Sequence, residues 1–266
     1  MATTKSLGQK DKLDKFYTKK EVASICISQL NLDNYDVIIE PSAGSGNFSS
    51  QIEGCIAYDI APEHPDIIQQ DFLTLEIDEN LKDKKILVIG NPPFGVQNNL
   101  AIAFFNYSAQ FADTIAFILP KSFRKQSVQN KLSLDFSLVM DMDIESNSFQ
   151  LNDEDYNVPA VFQIWERIPR ERETLLYEIE GIKFVKPHEA DFRIQRVGGN
   201  AGKAFTNSGS KSSNYFIQNH THLSNADLIR LINLTEYKDR DNTVGPRSVS
   251  KPELLLKIKE ILEKNH

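Results

Sequence analysis

The sequence predicts an α/β fold with a doubly wound, mostly parallel sheet, and two observations support that prediction. Strand-like and helix-like segments alternate from residue 18 to about residue 168, a pattern typical of a parallel sheet with helices on both faces. Polar insertions follow the strand-like runs at their carboxyl ends, where such sheets bind ligands. The strand-like runs are 37–39, 55–60, 86–89, 113–120, 138–144 and 159–168.

Amphipathic patterns predict the helices. An apolar stripe over residues 18–30 begins at Thr18, with Glu21 placed three residues later as a capping-box partner. Residues 100–111 predict a second helix. Beyond residue 168 the composition changes to a loop rich in glycine and serine, followed by two capped helices. We therefore expect a mobile tail at 1–15, a main domain at 16–168 and a small α+β extension at 169–266.

Composition narrows the class of protein. The chain has 266 residues, 40% of them hydrophobic and 25% charged, and no apolar run approaches the roughly 20 residues of a membrane span. The N-terminus has lysines but no apolar segment after them, so it does not predict a secretory signal. Cys26 and Cys55 lie in no metal-binding spacing. These features predict an intracellular, cytoplasmic protein with reduced thiols, no membrane association and no metal.

A net charge of −7 argues against a protein coated in basic charge for non-specific binding of nucleic acid, but two local stretches are basic. Residues 121–131 carry Lys121, Arg124 and Lys125 without an acid, directly after a predicted strand. This position predicts contacts with phosphates, and a solvated helix face is the alternative. Residues 193–211 combine basic residues with glycines and amides, which fits either a nucleic-acid contact or a plain flexible loop.

The stretch "EPSAGSGNF" begins at Glu40, at the end of a buried strand. Gly44 and Gly46 allow the backbone to approach a ligand closely. The spacing completes neither a dinucleotide fingerprint nor a phosphate-binding loop, and an acid before the glycines would repel a pyrophosphate. A ligand that carries a cation suits it better. An ordinary turn between strand and helix is the alternative.

Two further acids follow in order along the chain. Asp59 ends the next strand, where a carboxylate is placed to accept hydrogen bonds from both hydroxyls of a ribose. Asp71 precedes Phe72, a pairing that suits an exocyclic amine and the face of a purine. Each acid taken alone is compatible with a solvated loop residue.

The stretch "VIGNPPFGVQNN" ends a buried strand in Asn91, Pro92, Pro93 and Phe94. Asn91 offers a side-chain acceptor, and the carbonyl between two prolines offers a second acceptor that a fixed φ holds in place. Two acceptors aimed at both hydrogens of a conjugated amine favour a pyramidal nitrogen whose lone pair can attack. Phe94 offers a face on which a base can stack. A simple proline turn is the alternative.

With these motifs in place, residues 16–168 resemble the S-adenosylmethionine-dependent methyltransferases that act on amino groups. "FYT" at 16–18, "EPSAGSG" and "NPPF" resemble the motifs of the N6-adenine enzymes, in the order found in one subgroup of them. "NPPFGVQNN" is also similar to adenine-N6 methyltransferases of ribosomal RNA, so the choice between DNA and RNA stays open. The resemblance implies a seven-stranded Rossmann-like methyltransferase sheet.

The resemblance also implies roles for individual residues. The cofactor S-adenosyl-L-methionine would be held at its methionine end by Thr18, Glu40 and the turn that follows Pro41, from Ala43 through Gly44 to Gly46. Its ribose would be held by Asp59, and its adenine would contact Ile60, Asp71 and Phe72. The target amine would be bound by Asn91 and the carbonyl of Pro92. Phe94 would stack on the target base, and Phe149 would form a second aromatic wall.

Other interpretations remain open at the level of sequence. Phe149 fits core packing equally well, and Tyr156 competes for the same role. A protein-glutamine methyltransferase uses a related signature on a side-chain amide, and a catalytically silent nucleic-acid-binding subunit would keep the fold. The extension at 169–266 is small for a domain that reads a target sequence. That leaves room for a partner subunit, a structured RNA or a short single-stranded target.

Overall fold

The computed structural model describes residues 16–81, 83–151, 154–174 and 178–265, and the predicted tail at 1–15 lies outside them. Contacts divide the chain into two units. Unit 1 runs up to Pro120 and resumes over Leu132–Arg172, whereas unit 2 comprises Lys121–Lys131 and the chain from Glu173 onward. The boundary predicted at residue 168 therefore lies a few residues before this division. The sequence did not predict that 121–131 groups with the C-terminal unit.

Unit 1 contains one large sheet and one small sheet. Its strands are β1 (Tyr17–Thr18), β2 (Val37–Glu40), β3 (Ile56–Asp59), β4 (Ile68–Gln69), β5 (Ile86–Gly90), β6 (Thr114–Pro120), β7 (Phe136–Asp143), β8 (Phe149–Leu151), β9 (Glu154–Tyr156) and β10 (Ala160–Arg167). Seven of them form the order β4-β3-β2-β5-β6-β10-β7. The first five run parallel, and β10 is antiparallel to both of its neighbours. The predicted mostly parallel, Rossmann-like sheet of seven strands is confirmed.

A helix packs on each face of this sheet, because successive side chains of a strand point to opposite sides. Ala23 of α1 (Lys20–Ile27) joins Leu87 and Ile89 of β5 in one buried cluster. On the other face, Phe105 of α2 (Asn99–Ser108) contacts Trp165 of β10 edge to face, with 5.4 Å between ring centroids. The predicted doubly wound arrangement follows from these two contacts.

A separate three-stranded sheet fixes the segment that precedes α1. β1 pairs antiparallel with β8, and β8 forms a hairpin with β9. Thr18 is therefore a strand residue opposite Phe149, and Lys19 takes the N-cap position of α1. The predicted cap at Thr18 is wrong, because ladder pairing with β8 holds the backbone of Thr18 before the helix can begin.

Unit 2 is a small α+β structure, as predicted for the C-terminal extension. Its strands are β11 (Ile182–Phe184), β12 (Phe192–Gln195), β13 (Ala204–Phe205) and β14 (Asn214–Asn219), and they form an antiparallel sheet in the order β11-β14-β12-β13. Its helices are α3 (Gln126–Gln129), α4 (Asn225–Leu234) and α5 (Lys251–Lys264). Ser224 caps α4 by accepting from the Asp227 N–H, and Glu253 accepts from the Ser250 N–H at the start of α5.

Two glycines of one loop in unit 2 test this packing. Gly202 has φ +91°, and an added Cβ would lie 2.4 Å from the ring of the buried Tyr237, whereas a Cβ on Gly199 would meet nothing within 4 Å. We expect Gly202→Ala to lower the free energy of unfolding by more than about 2 kcal/mol through strain and overpacking. Gly199→Ala should change it by less than about 0.5 kcal/mol. Chemical denaturation measures both, and equal effects would contradict the packing of Tyr237 on Gly202.

Candidate active site

A cavity of about 310 Å³ opens beyond the carboxyl ends of β2, β3 and β5, and every residue that lines it belongs to unit 1. The structure brings thirteen of the predicted site residues together there: Thr18, Glu40, Pro41, Ala43, Gly44, Asp59, Ile60, Asp71, Phe72, Asn91, Pro92, Pro93 and Phe94. Residues that the sequence did not single out also line it: Ser42, Asn47, Leu100 and Phe104. Phe104 belongs to no motif in the sequence, and only its position on the apolar face of α2 could have indicated that it lines the cavity.

The glycine turn after β2 is tied to β3 by a carboxylate. Gly44, at φ +54°, donates its N–H to Asp59 Oδ2 at 2.8 Å, and the Ala61 N–H donates to Asp59 Oδ1 at 2.8 Å. Gly46 lies outside the cavity lining, but its N–H closes the turn on the Ala43 carbonyl at 2.7 Å. Asp59 therefore organises the turn as well as facing the cavity.

The helix expected after this turn is only the 3₁₀ helix Ser49–Gln51. Nine residues separate Gly46 from β3, which is too short a stretch for a stable α-helix and a return to the sheet. The Ser49 N–H at its start donates to Glu40 Oε2 at 2.8 Å.

Glu40 is a buried acid, with 2% of its surface exposed. The pKa of its carboxyl is raised to about 7, mainly by burial and to a smaller extent by the charge of Asp59, while hydrogen bonds from Ser49 oppose the rise. An added Cβ on Gly90 would lie 3.3 Å from Glu40 Cγ, so the NPPF loop begins in contact with this acid. Within the described ranges no cationic side chain forms an ion pair with Glu40, which leaves its carboxylate to compensate the charge of a ligand.

Backbone carbonyls of the N-terminal segment 16–18 accept hydrogen bonds from side chains that line the cavity. Asn91 Nδ2 donates to the Phe16 carbonyl at 3.1 Å, and Asn47 Nδ2 donates to the Thr18 carbonyl at 2.8 Å. The Tyr17 hydroxyl donates to Glu63. Thr18 is 5% exposed, and its Oγ1 is buried without a hydrogen-bond partner among the residues described. A hydroxyl in that position is available to a ligand.

Asn91 is held by two neighbours. Its side-chain Nδ2 donates to the Phe16 carbonyl, and its backbone carbonyl accepts from Ser42 Oγ at 3.2 Å. Its Oδ1 is buried and has no partner in the part of the chain that the structure describes. A buried acceptor without a donor costs about 1–3 kcal/mol, which a ligand donor would recover. The Pro92 carbonyl likewise receives no hydrogen bond from any described residue.

The residues predicted to surround an adenine all line the cavity. Ile60 is 49% exposed, and Phe72 is almost fully buried and stacks on Phe104 with 5.6 Å between centroids. Asp71 Oδ1 accepts from the Leu73 N–H at 3.0 Å, so one carboxylate oxygen caps a short 3₁₀ helix. These side chains supply the cavity with apolar surface and a carboxylate acceptor, which match the chemistry of a purine with an amino group.

Phe149 does not line the cavity. The ring is 1% exposed and packs in the cluster that contains Ala23 and Phe162, because the ladder of β8 with β1 turns this side chain into the core. The predicted second aromatic wall at Phe149 is therefore wrong. Tyr156, in the same hairpin, is 36% exposed and stacks on Phe16 with 4.6 Å between centroids.

The basic stretch 121–131 belongs to unit 2, and Lys121, Arg124 and Lys125 are absent from the lining of the cavity. Lys125 is 5% exposed, and its Nζ donates to the carbonyl and the hydroxyl of Ser248 at 2.6 and 2.8 Å. Burial lowers the pKa of this ammonium. The predicted phosphate contact of Lys125 is wrong because this ammonium is used inside unit 2, whereas the contacts of Lys121 and Arg124 with phosphates stay predictions.

In the part of the chain that the structure describes, no group of three or more histidines, cysteines, aspartates or glutamates could hold a metal ion. No helix among the residues searched has the length and the apolar character that crossing a membrane demands.

The assignment of Phe149 to the core can be tested by stability. Phe149→Leu should lower the free energy of unfolding by on the order of 1–2 kcal/mol, because it removes part of a buried ring and leaves a cavity. The same change should leave the affinity for S-adenosyl-L-methionine within about twofold of that of the wild type. Denaturation and calorimetry measure the two quantities, and a loss of affinity without a loss of stability would return Phe149 to the site.

The raised pKa of Glu40 makes stability depend on pH. The folded protein binds this proton more tightly than the unfolded chain, so its contribution to stability falls as the pH rises from about 4.5 to about 7. Glu40→Gln keeps an acceptor for Ser49 and removes the charge. Without ligand, we expect this variant to exceed the wild type by up to about 3 kcal/mol at pH 8 and to match it near pH 4.

Denaturation at the two pH values measures that difference. Glu21→Gln, on the exposed side of α1, serves as the matched control and should not gain stability over the wild type at pH 8. An equal stability of Glu40→Gln and wild type at pH 8 would contradict the buried, unpaired acid.

No protein family and no curated protein sequence matches this chain. Among solved structures it is similar to a modification subunit of a putative type I restriction enzyme from Vibrio vulnificus, with 14% identity and a TM-score of 0.43 over 59% of this chain and 46% of that one. It is similar to a putative RNA methyltransferase from Pyrococcus horikoshii, with 13% identity and a TM-score of 0.42 over 59% and 89%. It is also similar to the 23S rRNA methyltransferase ErmE, with 16% identity and a TM-score of 0.41 over 58% and 71%. The match thus spans less than half of the restriction-enzyme subunit, and likenesses this distant carry no argument about function.

Proposed function

We propose that this protein is an S-adenosyl-L-methionine-dependent methyltransferase that transfers a methyl group to the exocyclic N6 of adenine in DNA or RNA. The observation that carries the proposal is the buried Oδ1 of Asn91, which has no partner among the described residues and lies in one cavity with the acids Glu40 and Asp59. An acceptor without a donor, next to acids without cations, fits an amine substrate and a cationic cofactor.

The residues present fit the cofactor. Glu40 would compensate the ammonium of its methionine end, Thr18 Oγ1 would accept or donate a hydrogen bond there, and Asp59 would accept from the ribose hydroxyls with its remaining lone pairs. Ile60 and Phe72 would enclose its adenine ring. When bound, the cofactor supplies an electrophilic methyl group on a sulfonium.

The target amine would be held by acceptors. Asn91 Oδ1 would accept one amino hydrogen, and the Pro92 carbonyl would accept the other. This geometry favours a pyramidal nitrogen, whose lone pair is then released from conjugation with the ring. Phe94 would support the base by stacking, which is worth about 1–3 kcal/mol per base. Catalysis by positioned acceptors requires no titrating nucleophile.

The distribution of charge supports a polyanionic substrate over a protein. Sequence segments 121–131 and 173–266, which make up unit 2, contain 18 lysines and arginines against 12 aspartates and glutamates. The rest of the chain contains 12 against 25. A basic unit attached to an acidic catalytic unit is a charge distribution that suits phosphates on one unit and cationic cofactor on the other.

Transfer of label from S-adenosylmethionine to separate pools of DNA, RNA and protein tests the proposal. We expect label in N6-methyladenine of one nucleic-acid pool, identified by nucleoside analysis. Asn91→Ala should lower kcat by at least about 100-fold because it removes an acceptor used in the transition state, with cofactor affinity nearly unchanged. Asn99→Ala, an exposed amide at the start of α2, is the matched control. Label confined to protein glutamine would overturn the proposal, and so would undiminished turnover by Asn91→Ala.

A further inference from the structure

The sheet of unit 2 has one face covered by helices and one that the helices leave open. Ile194 and Ile217 on the covered face pack against Leu228 of α4 and Leu255 of α5. Neighbouring residues along the strands point the other way.

On the open face the strand register aligns Phe205, Arg193 and Phe216 in a row across β13, β12 and β14. The face thus carries two half-buried aromatic rings with a guanidinium between them. This is a composition on which planar ligands stack.

Arg193 organises one side of this face. Its guanidinium lies 4.5 Å from the centroid of the Phe205 ring, and it donates to the Asn207 carbonyl, Asn207 Oδ1 and Asn214 Oδ1 at 2.9, 2.8 and 2.6 Å. An added Cβ on Gly209 would lie 2.7 Å from Arg193 Cδ, so the loop over 206–209 runs in contact with this side chain. Arg193 uses two of its hydrogen bonds to hold the loop through Asn207 and a third to bind Asn214 of β14.

Between the sheet and this loop lies a second cavity, of about 280 Å³. Arg193 and Phe216 line it from the sheet, residues 206–209 line it from one loop, and Pro187 and Asp191 line it from the loop before β12. We call this cavity the sheet slot. It combines an aromatic ring with the hydroxyls and amides of the 206–209 loop, which can bond the polar edge of a planar ring.

We propose that the sheet slot binds an unpaired base of a nucleic acid, stacked on Phe216. This inference rests on the proposed function for the identity of the polymer. The excess of lysine and arginine in unit 2 favours a polyanion, as set out above. Asp191 at the wall of the slot disfavours a phosphate inside it, and three of the five N–H donors of Arg193 are already engaged. The uncharged, planar part of the polymer therefore suits the slot, and a base can enter only where it is unpaired.

Binding by the full chain, measured without methyl transfer, tests the slot separately from catalysis. A fluorescently labelled single-stranded oligonucleotide and its duplex are titrated at one salt concentration. Phe216→Leu keeps apolar volume but removes the ring, and we expect it to weaken binding of the single strand by about 5- to 100-fold. Phe216→Trp should retain wild-type affinity, and binding of the duplex should change by less than about twofold.

Phe184→Leu is the matched control, because Phe184 is a half-buried ring that packs against the helix-covered core of the same sheet. It should leave binding unchanged. Wild-type affinity of Phe216→Leu for the single strand would overturn the slot, as would an equal loss in Phe184→Leu or an equal loss for the duplex. If nucleic acid is methylated while Phe216→Leu binds normally, the slot alone is wrong. If the wild type labels only protein and Phe216→Leu still loses the single strand, the slot stands and the proposed function falls.

Discussion

The hydrogen bond from Asn91 Nδ2 to the Phe16 carbonyl determines what the candidate active site can do. An amide side chain can present its oxygen or its nitrogen to a cavity, and this bond commits the nitrogen to the N-terminal segment. The oxygen is left buried without a donor from any residue that the structure describes. Phe16 is in turn fixed next to β1 by its stack on Tyr156. The small sheet of β1, β8 and β9 therefore sets the orientation of the Asn91 amide, which follows β5.

The two acids that line the same cavity, Glu40 and Asp59, also accept hydrogen bonds from backbone N–H groups. Asp59 accepts hydrogen bonds from backbone N–H groups with both carboxylate oxygens, which holds the side chain in place. Glu40 accepts from the Ser49 N–H and is deeply buried, so its charge is costly in the free protein. A cationic ligand would relieve that cost. The free energy that the buried charge of Glu40 costs the folded chain would thus be recovered when a positively charged group binds.

The two units carry net charges of opposite sign. The acidic surplus belongs to the unit that holds the cavity, and the basic surplus belongs to the unit with the sheet slot. Lys125 shows that the number of basic residues alone does not define a binding surface, because its ammonium is consumed by Ser248. Arg193 is likewise consumed by Asn207 and Asn214. These two cations stabilise the structure of unit 2. The net charge of the other residues of unit 2 acts at longer range.

The sequence by itself determined the alternation of strands and helices, the sheet class and the gathering of Glu40, Asp59 and Asn91 at one edge. These follow from local periodicity and from the rule that parallel strands present their carboxyl ends together. Tertiary structure decided which ring of a hairpin is buried, since a shift of one residue exchanges Phe149 with its neighbours between two faces. It also decided that Thr18 is a strand residue and that Lys125 is spent on a serine 123 positions away. Those outcomes depend on partners that are remote in the chain, and local pattern carries no information about them.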